Sequence, residues 1–202
     1  MKDTLQYERF TRLLHWGFAL LIPLQLLSEE LMKRPKPGRI RDDMQIFFFE
    51  MHEIIGWIAF ILVTARIIWA LISVDSSWLR LYPYFSPTGR QMLMYELKHE
   101  VPGWFKGKLP NPSRERCMAS AVHGLGLLLV TAMGVTGVMM ALGMEESGLM
   151  TGIIHEAKEV HEMLGGLLWV YIIAHVSMTA LHMLLGHPML KRIFSLNPNQ
   201  QS

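Results

Sequence analysis

Residues 161–175 read HEMLGGLLWVYIIAH, a histidine at each end of an almost uncharged stretch. No Asp, Glu, Lys or Arg occurs from residue 163 to residue 190. A helix rises about 1.5 Å per residue and a bilayer's hydrocarbon core is about 30 Å thick, so about 20 apolar residues cross it. This run is long enough. At about 100° per residue, the step from His161 to His175 turns about 1400°, about 40° short of four full turns. Both imidazoles therefore lie on nearly one helix face, about 21 Å apart along the axis.

Three more runs resemble it. Residues 13–28 and 118–144 carry no charged side chain, and residues 54–74 carry only Arg66. The first run reaches membrane length only with Leu31 and Met32, beyond Glu29 and Glu30. Helices of a soluble bundle show a polar face every third or fourth residue, and these runs do not. The expectation is an all-α, membrane-embedded four-helix bundle forming a single domain over 1–202. Its spans fall at about 13–32, 50–74, 118–143 and 160–187. Run one has a basic start and an apolar centre, as a secretory signal does. It lacks a small-residue cleavage site and carries His15, so it reads as a retained span.

Composition narrows the class. Of 202 residues, 51% are hydrophobic and 18% charged, with mean hydropathy +0.26. Soluble domains carry about 25% charged residues. The net charge of +2 gives no footprint for nucleic acid. The single cysteine, Cys117, permits neither an internal disulfide nor a four-thiolate metal site, and no Cys-x-x-Cys-His occurs to attach haem covalently.

Lys and Arg near span ends set orientation. The N-terminal tail (Lys2, Arg9, Arg12), the connection 75–117 and the C-terminal tail (Lys191, Arg192) hold 12, against 6 in the first loop and at Lys158. Both termini are expected on the cytoplasmic side. The first loop, with Lys33, Arg34, Lys36, Arg39 and Arg41, runs against that count. The connection 75–117 mixes basic residues with aromatics such as Trp78, Tyr82, Tyr95 and Phe105. That mixture suits the headgroup layer on the cytoplasmic side, with a short surface helix over 88–100. Docking of a partner there is the alternative.

Five histidines sit in or beside the spans: His15, His52, His123, His161 and His175. Ionisable groups at membrane depth are costly and usually functional. Alternating span direction pairs His52 with His161 near the outer surface and His15 with His175 near the inner one. Two stacked cofactors follow, each held by histidines from two helices. Haem iron with two axial imidazoles fits, and filling both axial positions favours electron transfer over oxygen chemistry. Bare zinc or copper would find too few donors at each level. A di-iron site needs Glu-x-x-His on paired helices, whereas Glu53 and Glu162 directly follow their histidines and point about 100° away. These two carboxylates read as interfacial.

His123 shares the inner level, where it can compete as a ligand, bond a haem propionate, assist a quinone or cap its helix. Arg66 is also 14 residues after His52, on the same face at the inner level. It either pairs with a propionate or snorkels to the interface. Glycines follow the histidines (Gly17, Gly56, Gly165, Gly166), and Gly134 and Gly137 lie in run three. They serve either a flat macrocycle or close helix contact. His182 could border a quinone pocket; His187, His155 and His99 read as interfacial.

The residues taken in order resemble the bacterial cytochrome b-561 and nickel-hydrogenase b-type cytochrome family. The first element is Tyr7, Arg9, His15 and Trp16. The second is His52, Gly56 and Arg66, and the third is His161, Glu162, Leu164 and His175. His123 stands where relatives often carry a third-span histidine. Phe85, Ser86 and Pro87 before Tyr95 resemble the hydrogenase-type branch. The resemblance covers nearly the whole chain. It implies two non-covalent b haems with His15, His52, His161 and His175 as iron ligands, and Arg66, His123 and Arg9 as further cofactor-binding residues. It implies electron transfer between the membrane quinone pool and a partner redox protein at the outer face, in the bacterial inner membrane. Quinone is a second candidate cofactor, and homo-oligomers are compatible with the pattern. The alternative is a standalone quinone oxidoreductase using a small reductant. A proton-relaying transporter is disfavoured, because no inverted repeat is present and only Pro23 interrupts a span.

Overall fold

In a computed structural model, residues 9–72, 81–104 and 117–186 are described. Tyr7, Trp78, Phe105, His187 and the basic residues of the two tails before Arg9 and after Gly186 lie outside them. Among the described residues there are five α-helices and no strand: α1 (Arg9–Leu31), α2 (Asp43–Ile72), α3 (Pro87–Trp104), α4 (Cys117–Gly143) and α5 (Gly152–Leu184). A short 3-10 turn, Pro83–Phe85, leads into α3.

Helices α1, α2, α4 and α5 are long and apolar enough to cross a membrane, with mean hydropathy of 1.3 to 2.2 over their best windows. Their surfaces confirm what length suggests. On α5, Met163, Leu167, Val170, Ile173 and Val176 are each at least half exposed. Each such side chain left in water forgoes about 1.5–3 kcal/mol of burial. Five of them match the whole stability of a typical domain, about 5–15 kcal/mol. The opposite stripe, His161, Leu164, Leu168 and His175, is less exposed, and Leu168 is buried. The 14-residue spacing thus lies on the inward face of α5. The chain is a multi-pass membrane protein.

Two helices start before their apolar spans. Helix α2 begins at Asp43, where Asp42 Oδ1 accepts the Gln45 N–H at 2.8 Å, and Asp43 adds negative charge at the positive helix end. Helix α5 begins at Gly152 and carries His155, Glu156, Lys158 and Glu159 in its opening turns. Apolar length sets what crosses the hydrocarbon; capping and hydrogen-bond continuity set where the helix starts. Pro23 lies within α1 without ending it.

The chain forms two compact units. One, the His52 unit, comprises residues 16–65 and 127–171. Its buried apolar side chains are Ile22, Leu26, Ala59, Val63, Ala157 and Leu168. The other, the His15 unit, takes residues up to 15, 66–126 and from 172 onward. In it Leu14 and Ala70 are buried, and Phe10 packs on Trp69 with ring centroids 4.7 Å apart.

The surface helix foreseen at 88–100 is α3, longer by a turn at its C-terminal end. Its Arg90, Tyr95, Lys98 and His99 are exposed, with Tyr95 stacked on His99 at 4.2 Å, while Glu96 is buried. Glu96 accepts the N–H groups of Cys117 at 2.9 Å and Met118 at 2.8 Å. A carboxylate there satisfies two orphan donors of α4 and offsets its dipole, tying α3 to the helix that carries His123. Gly124 allows the segment before α3 to close on α4, because a Cβ there would lie 2.1 Å from the Leu81 carbonyl oxygen.

Candidate functional site

The His52 unit brings His52 of α2 and His161 of α5 together, with ring centroids 6.4 Å apart and planes at 78°. His52 Nδ1 lies 3.0 Å from Ser28 Oγ and 3.2 Å from the Gln25 carbonyl oxygen, both on α1. Ser28 Oγ donates to that same carbonyl at 2.8 Å, and Gln25 Nε2 donates to the His52 carbonyl at 2.9 Å. Ser28 is only 2% exposed. These bonds pin α1 to α2 at the level of the His52 ring. His161 Nδ1 lies 2.8 Å from Thr136 Oγ1 on α4. The Thr136 hydroxyl has carbonyls of its own helix in reach, Ala132 at 2.8 Å and Met133 at 3.1 Å. Gly137 leaves the room the ring needs, since a Cβ would stand 3.3 Å from His161 Cε1.

One turn before His161, Lys158 is 6% exposed and bonds Glu159 and Glu162, the latter at 2.9 Å. Glu162 is therefore engaged in an ion pair, half exposed, in keeping with an interfacial carboxylate. The basic-residue count took Lys158 as a charge near a span end; its partner Glu162 lies four residues on, the usual spacing of helical neighbours.

The His15 unit assembles three histidines. His15 of α1 and His175 of α5 have centroids 6.5 Å apart with planes at 44°; His123 of α4 stands 5.4 Å from His175, edge-on at 85°. The His123 Nδ1 faces the Ala119 carbonyl oxygen of its own helix at 2.6 Å. Arg66 is half-buried and within electrostatic range of both His123 and Tyr82. Burial pushes the Tyr82 phenol up from its ordinary pKa, with Arg66 acting in the opposite sense. Arg9 opens α1 and is exposed, while Arg12 is 3% exposed, three residues before His15 and close to its face. Sequence reasoning used Arg12 only as an orientation charge; its i−3 spacing to His15 was the available signal.

The glycines divide between the two roles open to them. An added Cβ at Gly17 would meet Leu62 at 2.7 Å, and one at Gly134 would meet Phe60 at 2.7 Å, so both serve close helix contact. At Gly165 and Gly166, one turn after His161, an added Cβ meets nothing within 4 Å. Those two positions border open space, with Gly166 exposed.

Comparison with known proteins gives one result. The family model described as prokaryotic cytochrome b561 matches residues 6–196. No curated protein and no solved structure matches the chain. The chain belongs to the prokaryotic cytochrome b561 family: it is a b-type membrane cytochrome of electron transfer, with b-type haem as its cofactor.

Proposed function

We propose that this protein is a dihaem cytochrome that carries electrons across the bacterial inner membrane, between the quinone pool and a redox protein at the outer face. Both termini lie in the cytoplasm. The observation that carries this reading is the separation within each histidine pair, 6.4 Å for His52–His161 and 6.5 Å for His15–His175. Two metal–imidazole bonds of about 2.0–2.1 Å plus two ring radii of about 1.1 Å come to about 6.3 Å. The residues therefore fit a bis-imidazole iron in both units. His123–His175, at 5.4 Å, is too short for an iron between the rings. His15 and His175 are the ligands in that unit, and His123 is a neighbour of the site.

Bound haem supplies a one-electron Fe(III)/Fe(II) couple, and two histidine ligands leave iron no open position for substrate. The chain's own groups hold and tune it. The four imidazoles fix iron at two places, Gly165 and Gly166 leave space for the macrocycle, and Arg66 offers a guanidinium to a propionate. The basic and aromatic face of α3 rests in the headgroup layer.

The test is haem content. Purified protein should hold two b haems per chain with a low-spin spectrum. His161→Ala should remove one and leave the other, and His175→Ala should remove the haem that His15 also binds and leave the haem of the His52 unit. A stoichiometry of one in the unaltered protein, or two in His161→Ala, overturns the reading.

A further inference from the structure

We infer that Thr136, with Ser28 and the Gln25 carbonyl, positions the histidines of the His52 unit by fixing which ring nitrogen faces the iron, and so sets that haem's potential. The inference rests on the ligand assignment proposed above. It starts from hydrogen-atom bookkeeping at two hydroxyls.

Thr136 Oγ1 has one hydrogen. The carbonyls of Ala132 and Met133, at 2.8 and 3.1 Å, can only accept, so the one hydrogen goes to the nearer, Ala132, or is shared between the two. What it presents to His161 Nδ1, 2.8 Å away, is a lone pair. His161 Nδ1 must then carry a hydrogen and donate it. His52 is fixed the same way. The Gln25 carbonyl, 3.2 Å from His52 Nδ1, can only accept. The Ser28 hydroxyl gives its hydrogen to that carbonyl at 2.8 Å and turns a lone pair to His52 Nδ1 at 3.0 Å. In both rings Nε2 is left with the free lone pair, the one an iron takes.

The arrangement aims and tunes at once. A ligand imidazole whose other N–H is held by an acceptor is locked in orientation and made more basic. A more basic ligand favours the ferric state, which lowers the reduction potential. Each ring has a backbone carbonyl beside its hydroxyl, Gln25 for His52 and Met133 for His161. His52 has two independent acceptors, so loss of Ser28 leaves the Gln25 carbonyl in place. At His161, Thr136 supplies the hydroxyl contact, and removing its oxygen takes away the acceptor at 2.8 Å.

The experiment uses the full-length, haem-loaded protein. Potentials are resolved by spectroelectrochemical titration, with haem content measured on the same samples. Thr136→Val, of similar shape, should keep two haems and raise one potential by about tenfold in the ferric-to-ferrous equilibrium, about 59 mV for one electron. Thr136→Ser restores the hydroxyl and should return the potential to its starting value. Ser28→Ala, which likewise removes one hydroxyl and leaves a backbone carbonyl in place, should raise the same component by a comparable amount. Two unchanged potentials in Thr136→Val, or an equal shift in Thr136→Ser, overturn the inference. If Thr136→Val does not load haem, Ser28→Ala decides: an unmoved potential overturns it. Failure of the ligand assignment shows separately, as two haems retained in His161→Ala.

Discussion

The His52 unit and the His15 unit each join histidines from α1 or α2 to one from α5, yet they are not copies. In the His52 unit, two imidazoles are each met at Nδ1 by an acceptor from a neighbouring helix, Ser28 and Gln25 for one and Thr136 for the other. Their planes stand at 78°. In the His15 unit, two imidazoles at 44° share space with a third, and the charges of Arg12 and Arg66 lie in the same unit. His123 directs its Nδ1 to a carbonyl of its own helix. One place has hydroxyls and carbonyls of neighbouring helices at its rings; the other has a third ring, and two arginines lie in the same unit. On the dihaem reading proposed above, these different surroundings give the two haems different potentials.

The comparison breaks most visibly at haem content. His15→Ala should cost the protein one haem of two, while His123→Ala should cost none, measured as haem per chain. Loss of a haem in His123→Ala would make it the ligand and end the distinction drawn from 6.5 against 5.4 Å.

Arg66 tests the difference in charge. A cation near iron stabilises the ferrous state, so Arg66→Gln should lower the potential of the His15-unit haem, by about tenfold in the equilibrium constant. The other haem should stay where it was in the same titration. A shift shared equally by both would remove the reason for treating Arg66 as local.

The smallest effect belongs to Gly137→Ala. Its new Cβ, 3.3 Å from His161 Cε1, displaces the ring by a few tenths of an ångström without removing any bond. Both haems should remain, with a shift of less than about threefold in the His52-unit component alone. A shift larger than that of Thr136→Val would mean that ring placement outweighs the hydrogen bond.

Much of this was legible in the chain because helices and bilayers impose simple periods. An uncharged run of fixed length reads as a span, and a 14-residue interval reads as one face. His52, His161, His15 and His175 could be paired from those two rules. The early start of α5 was not legible, since its opening turns are polar and only backbone continuity extends the helix to Gly152. The hydroxyls were not legible either. Thr64, Thr131 and Thr179 sit in the same long helices and bond the carbonyl four residues before, as membrane threonines commonly do. Thr136 does the same and also reaches His161 across 25 positions of sequence. Nothing in its neighbours marks it out.

Sequence by itself determined that four helices cross a membrane and that histidines recur on one face of α5, because both follow from the length and the 3.6-residue period of a single helix. Tertiary structure alone decided which imidazole meets which, that His123 stands edge-on to His175 at 5.4 Å, and that Ser28, Gln25 and Thr136 face ring nitrogens. Those outcomes depend on the rotation of one helix against another, to which no pattern within a single helix is sensitive.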